Sequence, residues 1–155
     1  MEAPGNQDEP LPAVDAAWLR MDRPTNLMMI CGMMMLDGHV ELNSLKDIIR
    51  TRMLCIHRVR QRVSGAASGP HWEFDPHFDL DWHVRRIAPG AGTLEDVTSD
   101  LISTPLDPAR PMWQWHLVEG ARSSALIMRI HHCYGDGFAM LHVIDAITDL
   151  NPRKP

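Results

Sequence analysis

Two adjacent histidines, His131 and His132, end the apolar run "ALIMRI" and lead into Cys133, Tyr134, Gly135, Asp136 and Gly137. An imidazole has an unperturbed pKa of about 6.5 and exchanges a proton near neutral pH, so a histidine held at the mouth of a cleft suits general-base catalysis. The competing reading makes both imidazoles hydrogen-bonded core residues, because leaving a buried polar group unpaired costs on the order of 1–3 kcal/mol. Along an extended strand successive side chains point to opposite faces. The two histidines therefore cannot both serve one site unless the strand breaks, and one of them is structural. Gly135 and Gly137 flank Asp136 and admit a tight turn that passes close to neighbouring backbone.

Two rival chemistries fit this stretch poorly. Cys133 and His132 are neighbours in sequence, and neighbours on a strand point apart, whereas a nucleophile and its base meet in space. Adjacent histidines do not readily chelate one ion, and no H-E-x-x-H spacing is present, so no metal site is expected.

The elements that must position the turn can be read from periodicity. "AVDAAWLRMDRP" offers a short helix with Asp15 as its cap and Pro24 at its end. Leu27–Leu36 reads as a buried, Met-rich strand, with Met28, Met29, Met33, Met34 and Met35 filling core or lining an apolar tunnel. Leu45, Ile48, Ile49, Arg52 and Met53 recur at helical spacing. "SGAASGP" is a loop, and "HWEFDPHFDLDWHVRRI" alternates like a strand. Thr93 caps a helix running to Ser103, which Pro105 closes. "PMWQWHLVEG" and "SSALIMRIHH" read as strands joined by a turn at Glu119–Ser123, and Met140, Val143, Ile144 and Ile147 mark a last helix. Helices alternating with strands indicate an α/β fold, a two-layer sandwich of a mixed β-sheet with packed helices.

Composition narrows the functions. The chain has 155 residues, 45% hydrophobic and 23% charged, enough for one core. A net charge of −5 argues against general nucleic-acid binding. One basic segment, Lys46, Arg50, Arg52, Arg58, Arg60 and Arg62, reads as a solvated face, with a phosphate-bearing ligand or lipid surface as the alternative. Three cysteines without CxxC spacing suggest neither a disulfide framework nor a zinc ribbon, and fit a reducing cytoplasm. The longest apolar run falls short of the ~20 residues of a membrane helix. The polar, proline-bearing start lacks the features of a signal peptide, and residues 1–10 are expected to form a disordered tail.

"HHCYGDG" resembles the HHxxxDG signature of the coenzyme-A-dependent acyltransferase superfamily, and its flanks narrow the likeness. "PLDPARPMWQWHLVEG" resembles the PLDxxRPLWxxxxxxG block of the bacterial-type wax ester synthase/diacylglycerol acyltransferase family. "LPAVDAAWLRMDRPTNLMMICGMMMLDG" and "PHWEFDPHFDLDWHVRRIAPGAG" are similar to two further blocks of that family, so the resemblance spans about Leu11 to Leu150. Two departures touch fine specificity: Met28 and Met29 stand where the family commonly has a histidine nearby, and Pro108 replaces a more usual basic or polar residue.

The resemblance implies an N-terminal acyltransferase subdomain over residues 11–155. His132 would take the proton of a long-chain alcohol or of diacylglycerol, whose oxygen attacks the thioester of an acyl-coenzyme A substrate, with no other cofactor. His131, Asp136 and Gly137 would shape the motif, Asp136 through an ion pair. From their residue types alone, Pro105, Leu106, Asp107, Arg110, Pro111 and Trp113 read as a rigid, ion-paired architectural turn leading into a strand, with direct substrate contact as the alternative. Family members are much longer and carry a second subdomain, so a separate C-terminal half is the expected partner, docked on an exposed apolar face. The expected location is cytoplasmic, peripheral to the inner membrane or lipid droplets. A catalytically silent fragment or lipid-binding module is the alternative.

Overall fold

A computed structural model describes residues 9–65, 69–88, 90, 92–120, 122–135 and 137–149. In chain order the elements are β1 (Glu9–Pro10), α1 (Ala13–Met21), β2 (Met29–Asp37), α2 (Leu42–Ile48), β3 (Gln61–Ser64), β4 (His71–Phe74), α3 (Leu80–His83), β5 (Val84–Ile87), α4 (Leu94–Ser103), β6 (Trp113–Glu119), β7 (Ser123–His131) and α5 (Gly137–Ile147). Four strands form a mixed sheet in the order β2-β7-β6-β5, with β5 parallel to β6 and the other pairs antiparallel. The register of β2 on β7 runs from Met29 opposite His131 to Asp37 opposite Ser123. The mixed α/β architecture is the expected one. The remaining strands make a second, small sheet, β1-β4-β3.

Alternation along the strands sorts the large sheet's two faces. Trp113, Trp115, Leu117, Leu126, Met128 and Ile130 line one face and pack with Leu45, Ile49, Met53, Met140 and Ile147 from the helical segments. On the other face the buried Arg129 reaches α4, donating to the carbonyls of Leu101 (2.5 Å) and Thr104 (2.8 Å) and to the side-chain oxygen of Gln114 (2.6 Å). A cation at the helix C-terminus satisfies carbonyls that have no intrahelical donor. A second cluster, Leu11, Ala16, Trp72, Met112 and Cys133, joins α1 to the small sheet, and Tyr134 packs against both clusters.

Several local expectations need correction. Glu9 and Pro10, expected within a disordered tail, pair with Trp72 and His71; the rest of that expected tail, residues 1–8, lies outside the described residues. Helix α1 begins after Pro12, a residue preorganised for a helix start, and Asp15 sits in its first turn rather than at its cap. The strand expected to be buried, now β2, is an edge strand whose Met33 and Met35 are 49% and 59% exposed. Helix α2 continues as a π turn over Ile49–Met53, where the Thr51 hydroxyl bonds back to the carbonyls of Asp47 and Ile48. The segment expected to be strand from His71 to Ile87 is β4, then α3, then β5. Asp79 starts α3 by accepting from the Asp81 N–H at 2.9 Å. The cap on α4 is as expected, with Thr93 and Asp96 forming a reciprocal capping box.

Candidate functional site

Strand β7 ends at His131, and the chain tightens into one 3-10 turn over His132–Tyr134 before α5 begins at Gly137. The two histidines consequently sit in different surroundings. His131 is 3% exposed. Its Nδ1 accepts the Cys133 N–H at 3.1 Å, and its Nε2 faces the Asp22 carboxylate at 3.7 Å. Burial lowers the His131 pKa below the ordinary histidine value, Asp22 opposes that fall, and the adjacent His132 adds to it. His132 is half-buried. Its N–H donates to the Met28 carbonyl at 2.8 Å, and its imidazole stacks on the Trp18 indole with centroids 4.5 Å apart and planes 21° apart. Among the described residues, its Nδ1 has no hydrogen-bond partner.

The rest of the motif fixes this turn. Cys133 is 1% exposed, and burial, reinforced by the charge of Asp15, pushes its thiol far above the ordinary range, so it cannot supply a thiolate beside His132. The Tyr134 hydroxyl accepts from Met112 N–H at 3.0 Å and donates to the Gln61 carbonyl at 2.6 Å. Gly135 has φ +149°, and a Cβ there would lie 2.5 Å from the Ala139 Cβ, so this position requires glycine. Gly137 opens α5, and Asp136 lies outside the described residues.

The block from Pro105 to Trp113 is built differently from the expected ion-paired turn. The Asp107 carboxylate accepts the Ala109 N–H at 2.9 Å, while the Arg110 guanidinium lies over the Trp82 ring at 4.6 Å. The turn is thus held by an Asx bond and a cation–π contact, with no Asp107–Arg110 pair among the described contacts. Leu106 packs in the second cluster, and Pro111 is fully buried. Trp113, also fully buried, donates to the Val59 carbonyl at 2.7 Å, and its own carbonyl accepts from His83 Nδ1 at 2.7 Å.

One cavity borders the turn, and a second lies near it, beyond Asp22 and Met112. The first, about 250 Å³, is walled by Val59, Ile130, Tyr134, Gly135, Met140 and Val143. The other, about 350 Å³, lies between the end of α1 and the proline block, with Leu19, Asp22, Leu27, Pro105, Leu106 and Met112 among its walls. The basic segment is largely compensated: Lys46 meets Asp81, Arg50 meets Asp47, Arg52 meets Asp149, Arg58 meets Glu9 and Arg62 meets Glu73. That favours the solvated-face reading over a phosphate site. No group of three or more His, Cys, Asp or Glu that could hold a metal occurs among the described residues.

The profile of the wax ester synthase/diacylglycerol acyltransferase catalytic domain matches residues 11–155. The chain belongs to this family. A probable diacylglycerol O-acyltransferase of Mycobacterium tuberculosis is 30% identical over 157 residues, covering 94% of this chain and 58% of that protein. Another from the same organism is 35% identical over 119 residues, covering 73% of this chain and 26% of that protein. The chain therefore spans between 26% and 58% of the length of these relatives. Among solved structures, the wax ester synthase/diacylglycerol acyltransferase of Marinobacter aquaeolei VT8 aligns with a TM-score of 0.77 at 27% identity, over 94% of this chain and 38% of that one. A starter condensation domain of rhizomide synthetase, in complex with C8-CoA, shares the fold with a TM-score of 0.73 at 16% identity, over 91% of this chain and 34% of that one.

Within this family member, sequence reasoning singled out the turn but missed its support. Trp18, Asp22 and Met28 were assigned no chemistry, yet all three contact the histidine pair or its backbone. One signal was available: Trp18 and Asp22 stand four residues apart, the spacing that aligns two side chains on one helix face.

Proposed function

We propose that this chain forms the histidine-bearing part of an acyl-coenzyme A-dependent O-acyltransferase, with His132 as general base. The observation that carries the reading is the half-buried His132 ring, stacked on Trp18 at the end of the inner strand β7, in a turn whose Tyr134 and Gly135 wall an apolar cavity. A base held in one orientation supports this role, because proton abstraction needs a positioned imidazole. His132 takes the hydroxyl proton of diacylglycerol or a long-chain alcohol as its oxygen bonds to the thioester carbonyl carbon. The tetrahedral oxyanion collapses, the carbon–sulfur bond breaks, and the departing thiolate takes the proton back from the imidazolium. The products are an ester and free coenzyme A. His131, Asp136 and Gly137 shape the turn, and the proline block supports it.

The remaining length of the family, supplied as a C-terminal half, completes the cleft in this reading. No helix among the described residues is long and apolar enough to cross a membrane. Lipid substrates would then be met at a membrane or droplet surface, for which the exposed Met33 and Met35 of β2 offer apolar contact.

The test is ester formation from palmitoyl-coenzyme A with hexadecanol or diacylglycerol, by this chain alone and with a co-expressed C-terminal half. His132→Ala is expected to lower the rate roughly 100- to 10,000-fold. Equal ester yields from the wild type and His132→Ala would refute the catalytic role. Acyl-chain binding without turnover in either format would identify a lipid-binding module instead.

A further inference from the structure

The C-terminal end of α1 and its capping residue Asp22 touch the histidine pair by two routes. Trp18 stacks on the His132 ring. Asp22 works through backbone: its Oδ1 accepts the Met28 N–H at 2.8 Å, and the Met28 carbonyl accepts the His132 N–H at 2.8 Å. Its Oδ2 lies 3.7 Å from His131 Nε2, which is buried and makes no hydrogen bond among the described residues, so the carboxylate acts on it through charge. Because His131 Nδ1 accepts the Cys133 N–H, the ring proton must reside on Nε2, the nitrogen turned toward Asp22. A donor facing a carboxylate in a buried pocket settles the tautomer.

We infer that Asp22 is a positioning residue: it holds His131 as the Nε2–H tautomer and, through Met28, fixes where His132 meets Trp18. This inference rests on the reading of His132 as the base. Asp22 itself does not touch the reacting atoms. Losing its charge removes the carboxylate's attraction for the Nε2–H, frees His131 to take the other tautomer, and so releases the Cys133 N–H that starts the turn.

The test is Asp22→Asn, which keeps an oxygen for Met28 N–H but turns an amide donor toward His131. On the wild-type chain, ring nitrogen NMR is expected to show His131 protonated on Nε2 alone, with His132 ring protons shifted upfield by the Trp18 indole. In Asp22→Asn both signatures are expected to disappear. With the C-terminal half present, kcat is expected to fall about a hundredfold, the cost of a base displaced by ~1 Å, while KM for acyl-coenzyme A stays within about twofold. A wild-type His131 protonated on Nδ1 overturns the assignment, and so does an Asp22→Asn variant in which either NMR signature or kcat is unmoved. Failure of the acyl-transfer reading shows separately, as His132→Ala matching the wild type.

Discussion

Acidification from pH 7 to pH 5 should weaken the fold through two buried imidazoles that take no part in the proposed chemistry. His83 has no exposed surface and is stacked between Phe78 at 4.9 Å and Trp113 at 4.4 Å. Burial lowers its pKa from 6.5 to about 4, against the opposing pull of its hydrogen bond to the Trp113 carbonyl. His116, 6% exposed, is lowered to about 4 by burial and then by the charges of Arg129 and Arg85. Each folded pKa lies below the unfolded value, so between about 4 and 6.5 the unfolded chain binds more protons than the folded one. The stability is therefore complete above pH 6.5 and is lost as pH falls toward 4. At about 1.4 kcal/mol per pH unit per group, the descent to pH 5 removes about 2 kcal/mol for each histidine and about 4 kcal/mol together. The lowered His131 adds in the same direction. Such a loss is a large part of the 5–15 kcal/mol typical of a domain. Urea unfolding followed by tryptophan fluorescence at pH 7 and pH 5 measures it, because Trp72, Trp113 and Trp115 are buried reporters. His83→Gln and His116→Gln should each remove about half of the pH slope. A wild-type stability that changes by less than about 1 kcal/mol over that interval would refute the argument.

Two further outcomes follow from the scaffold. Arg129→Met should destabilise the protein by about 3 kcal/mol, because the carbonyls of Leu101 and Thr104 lose their charged donor inside the fold; denaturant unfolding at pH 7 measures this. Gly135→Ala should cost about 2 kcal/mol or more, combining a positive φ with a clash against Ala139. The cost should appear as a lower urea midpoint, together with weakened protection of α5 amides in hydrogen exchange.

Local signals were legible in the sequence. Thr93 and Asp96 advertise a helix start because both halves of a capping box lie within one turn. Asp79 carries a similar signal for α3, but the alternation of "HWEFDPHFDLDWHVRRI" outweighed it. The exposure of Met33 and Met35 was hidden, since an apolar strand reads alike at the edge or the centre of a sheet. At the candidate site strand alternation predicted that His131 and His132 part company, but it is the end of β7 at His131 and the 3-10 turn over His132–Tyr134 that give them different surroundings. The seating of Trp18 on His132 was not, because it depends on how α1 returns to a turn far away in the chain. The loss of the expected Asp107–Arg110 pair has the same origin: Trp82 arrives from another element and takes the guanidinium.

The nine-residue pairing of β2 with β7 also works as a ruler. It places the histidine turn roughly 30 Å from the connection at Glu119–Ser123, counted off in steps of about 3.3 Å. Deleting a single residue inside either strand would invert every side chain beyond it, exchanging Arg129 with its core-facing neighbours. Extra residues in the connection leave the count untouched. Added length is therefore tolerated by this ladder at its far end and not along its rungs.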